Sequence, residues 1–141
     1  MPELNADCYL LSMGTNESQD QNLTADFFLN NVNITVQKLR ETAPNTAIII
    51  SSPPVSYYKK SRPNPILIII TNALKEYCQQ NKIVFWDLHT ISKGKSGIKI
   101  WKNKKLLRPD LVHFSNDGYI LQGNLFINAF AQSWNSFLIS K

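Results

Sequence analysis

Only two histidines occur in these 141 residues, and one of them stands in the stretch RPDLVHFSNDGYILQG. There Asp110 and His113 are spaced D-x-x-H. A carboxylate that accepts a hydrogen bond from an imidazole N–H fixes the ring's tautomer. It also stabilises the imidazolium formed when the other ring nitrogen takes a proton. Three residues of separation on a turn can bring the two side chains to one side. Alone, the spacing is better read as an acidic helix start with an incidental histidine. Metal binding lacks a third ligand nearby. A second feature is Gly14-Thr15-Asn16-Glu17. A glycine lets a backbone N–H approach an oxyanion closely, and an asparagine amide two residues later can supply a second donor. The plain reading is a strand-ending turn, which both residue types favour.

The elements that would position these residues follow from apolar patterning. Residues 8–13, CYLLSM, form a short apolar run before Gly14 and predict a buried strand. Thr24 or Asp26 can cap a helix reaching about Glu41, with Phe28, Val32, Val36 and Leu39 at helical spacing. Pro44-Asn45 breaks it. Residues 47–52, AIIISS, predict a second strand, rich in isoleucine and without alternation, as in a parallel sheet covered on both faces. After Pro53-Pro54 and a loop, Pro65 opens a helix to about Asn81. Its apolar face is Ile66, Ile69, Ile70, Ala73, Leu74 and Tyr77. Residues 83–88, IVFWDL, give a third strand, and a lysine-rich loop runs on to Pro109. Ser115-Asn116-Asp117-Gly118 starts a last helix with an apolar stripe of Leu121, Leu125, Ala129, Trp134 and Leu138.

Strand, helix, strand, helix, strand, loop, helix is an α/β pattern with a parallel sheet. Sites in such sheets form at the carboxyl ends of strands, and Gly14–Glu17 follows the first strand directly. Three strands make a narrow sheet that leaves a long edge open to association.

Composition bounds the rest. The chain is 43% hydrophobic and 18% charged, that of a globular domain rather than a disordered chain. The length suits one domain with its own core. Net charge is +5, with Lys93, Lys95, Lys99, Lys102, Lys104 and Lys105 clustered. No aromatic nucleic-acid motif accompanies them, so a solvated loop is preferred to a nucleic-acid surface. Cys8 and Cys78 lack metal-ligand spacing and read as two buried thiols. The longest apolar run, residues 66–70, is too short to span a bilayer. The opening MPELNADCYLL does not read as a signal peptide. No cofactor is expected.

Taken in order, MGTNES, ISSPP and DLVHFSNDGY resemble the later blocks of the SGNH (GDSL-type) hydrolases. The resemblance implies a three-layer, flavodoxin-like α/β sandwich and serine ester hydrolysis. It makes Gly14 and Asn16 oxyanion donors, His113 the general base and Asp110 its orienting partner. GTNE, SRPNP, FWDL, the tryptophan after the basic stretch and VHFSNDGYILQG are similar to the peptidoglycan O-acetylesterase-like branch. That branch implies an O-acylated carbohydrate substrate, an extracytoplasmic setting, and Glu17 and Trp101 as candidate substrate contacts.

The family's first block, Gly-Asp-Ser on a strand turn, does not occur in this sequence, nor does a G-x-S-x-G elbow. Ser12 lies within the first strand, Ser51 and Ser52 end the second, and Ser115 reads as a helix cap. The expectation is a single domain portion, the C-terminal part of an SGNH domain, with the nucleophile outside this chain and little esterase activity by itself. An O-acetyltransferase on the same framework, or a remnant that binds glycan, an N-terminal complement or a second copy through the open sheet edge, are the alternatives.

Overall fold

The computed structural model describes residues 6–140. The first five residues, part of the opening stretch MPELNADCYLL, lie outside them. Three parallel strands form the sheet: β1 (Cys8–Ser12), β2 (Ala47–Ser51) and β5 (Val84–Trp86), in the order β1-β2-β5. The register pairs Leu11 with Ile50 and Ile50 with Phe85. Helix α1 (Ala25–Thr42) joins the first two strands and α2 (Ile66–Gln80) joins the second and third.

Both helices lie on one sheet face. Phe28, Val32 and Val36 of α1 meet Ile48 and Ile50 of β2 and Ile66, Ile70, Leu74, Tyr77 and Cys78 of α2 in one core. Helix α1 begins where its cap predicts, with the Thr24 hydroxyl accepting from the Phe27 N–H. In α2 the buried stripe takes Leu67 in place of the expected Ile69, which faces solvent. Isoleucines fill four of the first five positions of α2, so composition alone could not fix which side turns inward.

Three expectations need correction. Strand β1 is not buried, because it is an edge strand whose residues alternate between half-buried and exposed. Cys8 is accordingly exposed, while Cys78 is buried and its thiol is pushed up to about 11 by burial. The sheet is covered on both faces only at β2, where Ile48, Ile49 and Ile50 are all buried: Leu10 and Val84, flanking Ile49 on the side away from α1 and α2, remain exposed.

The lysine-rich loop is largely helical. Asp87 caps a short helix α3 (Leu88–Ile91), accepting from the Thr90 N–H, and α4 (Gly94–Asn103) follows. Gly97, Ile98 and Trp101 turn inward on α4 while Lys95, Lys99 and Lys102 face solvent. Two glycines among the lysines masked this amphipathic face. A small second core of Val55, Tyr57, Ile98, Trp101, Leu107 and Phe114 lies there. An unforeseen hairpin, β3 (Tyr57–Tyr58) with β4 (Arg62–Pro63), turns through Lys59 and Lys60 at positive φ. Lysine gives no turn signal of the kind Gly or Asn would.

The last helix, α5 (Asn116–Ile139), starts at its predicted cap, the Ser115 hydroxyl accepting from the Gly118 N–H. Of its 24 residues only Gly118 is buried. The expected stripe is therefore not a core stripe, since Leu121, Trp134 and Leu138 are exposed. Phe126 reaches the second sheet face, edge-on to Trp86 at 4.9 Å.

Candidate active site

Asp110 and His113 form a built pair. Asp110 Oδ1 accepts from the backbone N–H groups of Val112 and His113, both at 2.8 Å, and Oδ2 lies 2.9 Å from His113 Nδ1. Partial burial raises the Asp110 pKa, but those two N–H bonds, the ring contact and the imidazole's charge outweigh it. The carboxyl is held at about 2, below its ordinary 3.8. It therefore stays ionised at neutral pH. With Nδ1–H donated to it, Nε2 carries the lone pair that a base needs.

The loop holding the pair is strapped down at several points. Tyr57 N–H of β3 donates to the Leu111 carbonyl at 2.9 Å, and Arg108 N–H donates to the His113 carbonyl at 2.8 Å. Leu107 and Phe114 form an antiparallel bridge, and the Ser115 N–H donates to Leu106. Leu111 lies at φ 59°, a left-handed conformation uncommon for a branched side chain. Phe114 packs edge-on against Trp101 at 5.2 Å, so the second core anchors the residue next to the base.

His113 and Asn16 line one cavity of about 220 Å³ over the carboxyl ends of β1 and β2, together with Ser12, Thr15 and Pro54. Tyr119 and Gln122 of α5 close another side. The side-chain amide of Asn16 makes no hydrogen bond among the described residues, so it is available as a donor.

The other candidates lie differently. Gly14 is buried, and its N–H donates to Glu17 Oε2 at 3.0 Å. Its φ is 104°, and a Cβ there would stand 3.0 Å from Ile70 and 3.2 Å from Pro53, so glycine is required by backbone and packing alike. An oxyanion seeking that N–H would have to displace the Glu17 carboxylate. Glu17 itself is spent on that bond and does not line the cavity. Trp101 is corrected from candidate substrate contact to core residue: it is 6% exposed and lines neither this cavity nor the other large one. A sugar could not stack on it without opening the second core.

Sequence reasoning passed over Thr15, Tyr119 and Gln122. The last two had a usable signal. They stand four and seven residues after the cap Ser115, on one face of the helix that starts three residues after His113. The Gln122 Nε2 is buried without a partner. Ser12 lines the cavity, yet neither it nor any other hydroxyl among the described residues is hydrogen-bonded to His113.

No family model and no curated protein matches the sequence. Solved structures do match. A peptidoglycan O-acetylesterase superposes with a TM-score of 0.85 at 24% identity, over 96% of this chain and 40% of that one. A lipase/acylhydrolase from Enterococcus faecalis gives 0.63 at 21% identity, over 87% of this chain and 60% of that one. The esterase domain of the zebrafish ZfL2-1 retrotransposon ORF1 protein gives 0.56 at 22%, over 85% and 66%. The chain thus shares the fold of these structures, a parallel α/β sheet with its flanking helices. This chain spans about two fifths of the length of the O-acetylesterase it matches.

Proposed function

We propose that this chain is the base-bearing portion of an SGNH-type ester hydrolase that removes acetyl groups from carbohydrate such as cell-wall glycan. The observation that carries this reading is the Asp110–His113 pair, wired through Oδ2 and Nδ1 with Asp110 kept ionised, beside the free Asn16 amide in one cavity. The likeness to three esterase structures supports the reaction class, and the O-acetylesterase supports the substrate and an extracytoplasmic setting. No helix among the described residues is long and apolar enough to cross a membrane.

In this reading His113 Nε2 takes the proton from an attacking serine hydroxyl as its oxygen bonds to the ester carbonyl carbon. Asp110 stabilises the imidazolium, and the Asn16 amide donates to the oxyanion. Collapse of the tetrahedral intermediate breaks the bond to the sugar oxygen, which takes the proton back from Nε2. Water, deprotonated by the same nitrogen, then releases acetate. The serine comes from outside this chain. Ser12 is at the cavity without the hydrogen bond to His113 that a nucleophile needs.

Two measurements test this. The chain by itself should hydrolyse p-nitrophenyl acetate no faster than its His113→Ala variant, and robust His113-dependent turnover would show that the nucleophile is already present. A chimera in which this chain replaces its counterpart in the O-acetylesterase should release acetate from O-acetylated peptidoglycan. Activity on p-nitrophenyl acetate with none on the glycan would remove the proposed substrate while leaving the reaction.

A further inference from the structure

A second cavity, of about 250 Å³, shares no lining residue with the His113 site. It lies where β4, α3 and the first turns of α2 and α4 meet, and its walls are mostly apolar, from Val55, Pro63, Leu67 and Ile98. The two helix starts carry no acid in their first turns, and the N-cap residues Pro65 and Lys93 make no side-chain cap. A helix N-terminus bears partial positive charge. Arg62 and Lys95 add two full charges at the lining, and among the described residues no carboxylate pairs with either or lines the cavity. Two buried groups there also lack partners. Ser56 is 1% and His89 7% exposed, yet Ser56 Oγ and His89 Nδ1 make no hydrogen bond among the described residues. Asn64 on the same lining is engaged, donating to Ser18 and accepting from the Ile66 N–H. Buried polar atoms are normally paired, and leaving one unpaired is costly. Burial holds His89 below its ordinary pKa of 6.5, against the charge of Asp87, so at neutral pH the ring is neutral with one N–H to donate.

We propose that this cavity binds a small carboxylate with an apolar body, at a site separate from that of His113. The proposal requires nothing of the ester-hydrolase reading. The head group belongs where His89 abuts the start of α4. A Cβ on Gly94 would stand 3.3 Å from His89 Nε2, so the ring and the helix N-terminus border the same space. Lys95 comes from that helix, and Arg62 and Ser56 come from the hairpin side. The guanidinium fork matches a planar carboxylate. The apolar walls suit a hydrocarbon body and penalise a fully hydrated anion such as inorganic phosphate. A cavity of about 150 Å³ holds benzene, so this one suits a body of about five to eight carbon atoms.

Isothermal titration calorimetry of the full chain with hexanoate tests this. Hexanoate should bind with a Kd of about 1 mM or tighter. 1-Hexanol, which keeps the body and lacks the charge, should bind about tenfold more weakly or worse. Arg62→Gln and Lys95→Gln, both at exposed positions, should each weaken hexanoate about tenfold with the melting temperature unchanged. Ser56→Ala should weaken it about threefold or more without lowering the melting temperature, because the hydroxyl has no partner to lose. His113→Ala should leave the affinity as it is. No heat of binding at about 10 mM hexanoate overturns the proposal, as does equal affinity for hexanoate and 1-hexanol. Full affinity in the Arg62→Gln, Lys95→Gln double variant overturns it too. Inorganic phosphate binding more tightly than hexanoate would overturn the ligand class, and loss of hexanoate binding in His113→Ala would move the ligand to the other cavity and overturn the site.

Discussion

The two faces of the sheet carry similar side chains and meet different fates. On one, isoleucines and valines of β2, α1 and α2 close into a core in which Leu74 and Ile50 have no exposure. On the other, Ile49 is buried between them, but Leu10, Val84 and much of the apolar surface of α5 stand in solvent. The difference lies in what covers them. A crossover helix follows β1 and another follows β2, and both fold back on the first face. The second face receives only α5, which is tied down at its first turn and by Phe126. Apolar patterning records how much surface a segment is built to bury, but not whether its cover lies in the same chain.

The sharpest way to break the comparison is to truncate one residue on each side. Leu74→Ala should cost about 2–5 kcal/mol in chemical denaturation, as for a filled core position. Trp134→Ala should change the stability of the chain alone by no more than about 0.5 kcal/mol. A large loss at Trp134 would mean that α5 is packed in solution. Next in size is the anchor of α5. A Cβ on Gly118 would stand 2.2 Å from the Leu106 carbonyl oxygen, so Gly118→Ala should destabilise by about 1–3 kcal/mol and loosen the loop that carries His113. Ser115→Ala removes the hydroxyl that accepts from the Gly118 N–H and should cost about 1 kcal/mol, read as fraying of the first turn by hydrogen exchange.

The smallest expected effect is electrostatic. Asp110 ionises more readily folded than unfolded, so it stabilises the fold above its ordinary pKa of 3.8. That contribution is lost as pH falls through about 2. Asp110→Asn should flatten this segment of the stability–pH curve and leave its neutral arm parallel to the wild type. The side chain is 44% exposed, so solvent screening keeps the effect modest.

Much of the first face could be read in advance. Thr24 and Ser115 announced their helices, and the isoleucine run of β2 announced a central strand. The Asp110–His113 pair was visible because its chemistry is local: three residues, one turn and two side chains. What could not be read depends on distant packing. Trp101 looked available while its lysine-rich setting passed for a loop. Its burial depends on Phe114 and Ile98, which approach only when α4 forms. Gly14 was read as an oxyanion donor and Glu17 as a substrate contact, but in the fold they bond to each other. Cys8 was placed in a core because its strand is apolar, and a strand's sequence does not state whether it lies at an edge.

The central claim is that His113, held by Asp110, is the base of an ester-hydrolysing site. It is tested most directly by acetate release from the chimera that joins this chain to the rest of the O-acetylesterase, with and without His113→Ala. With the chimera still folded, His113→Ala should lower kcat by about 10²–10⁴-fold. Equal rates for the two proteins would contradict it.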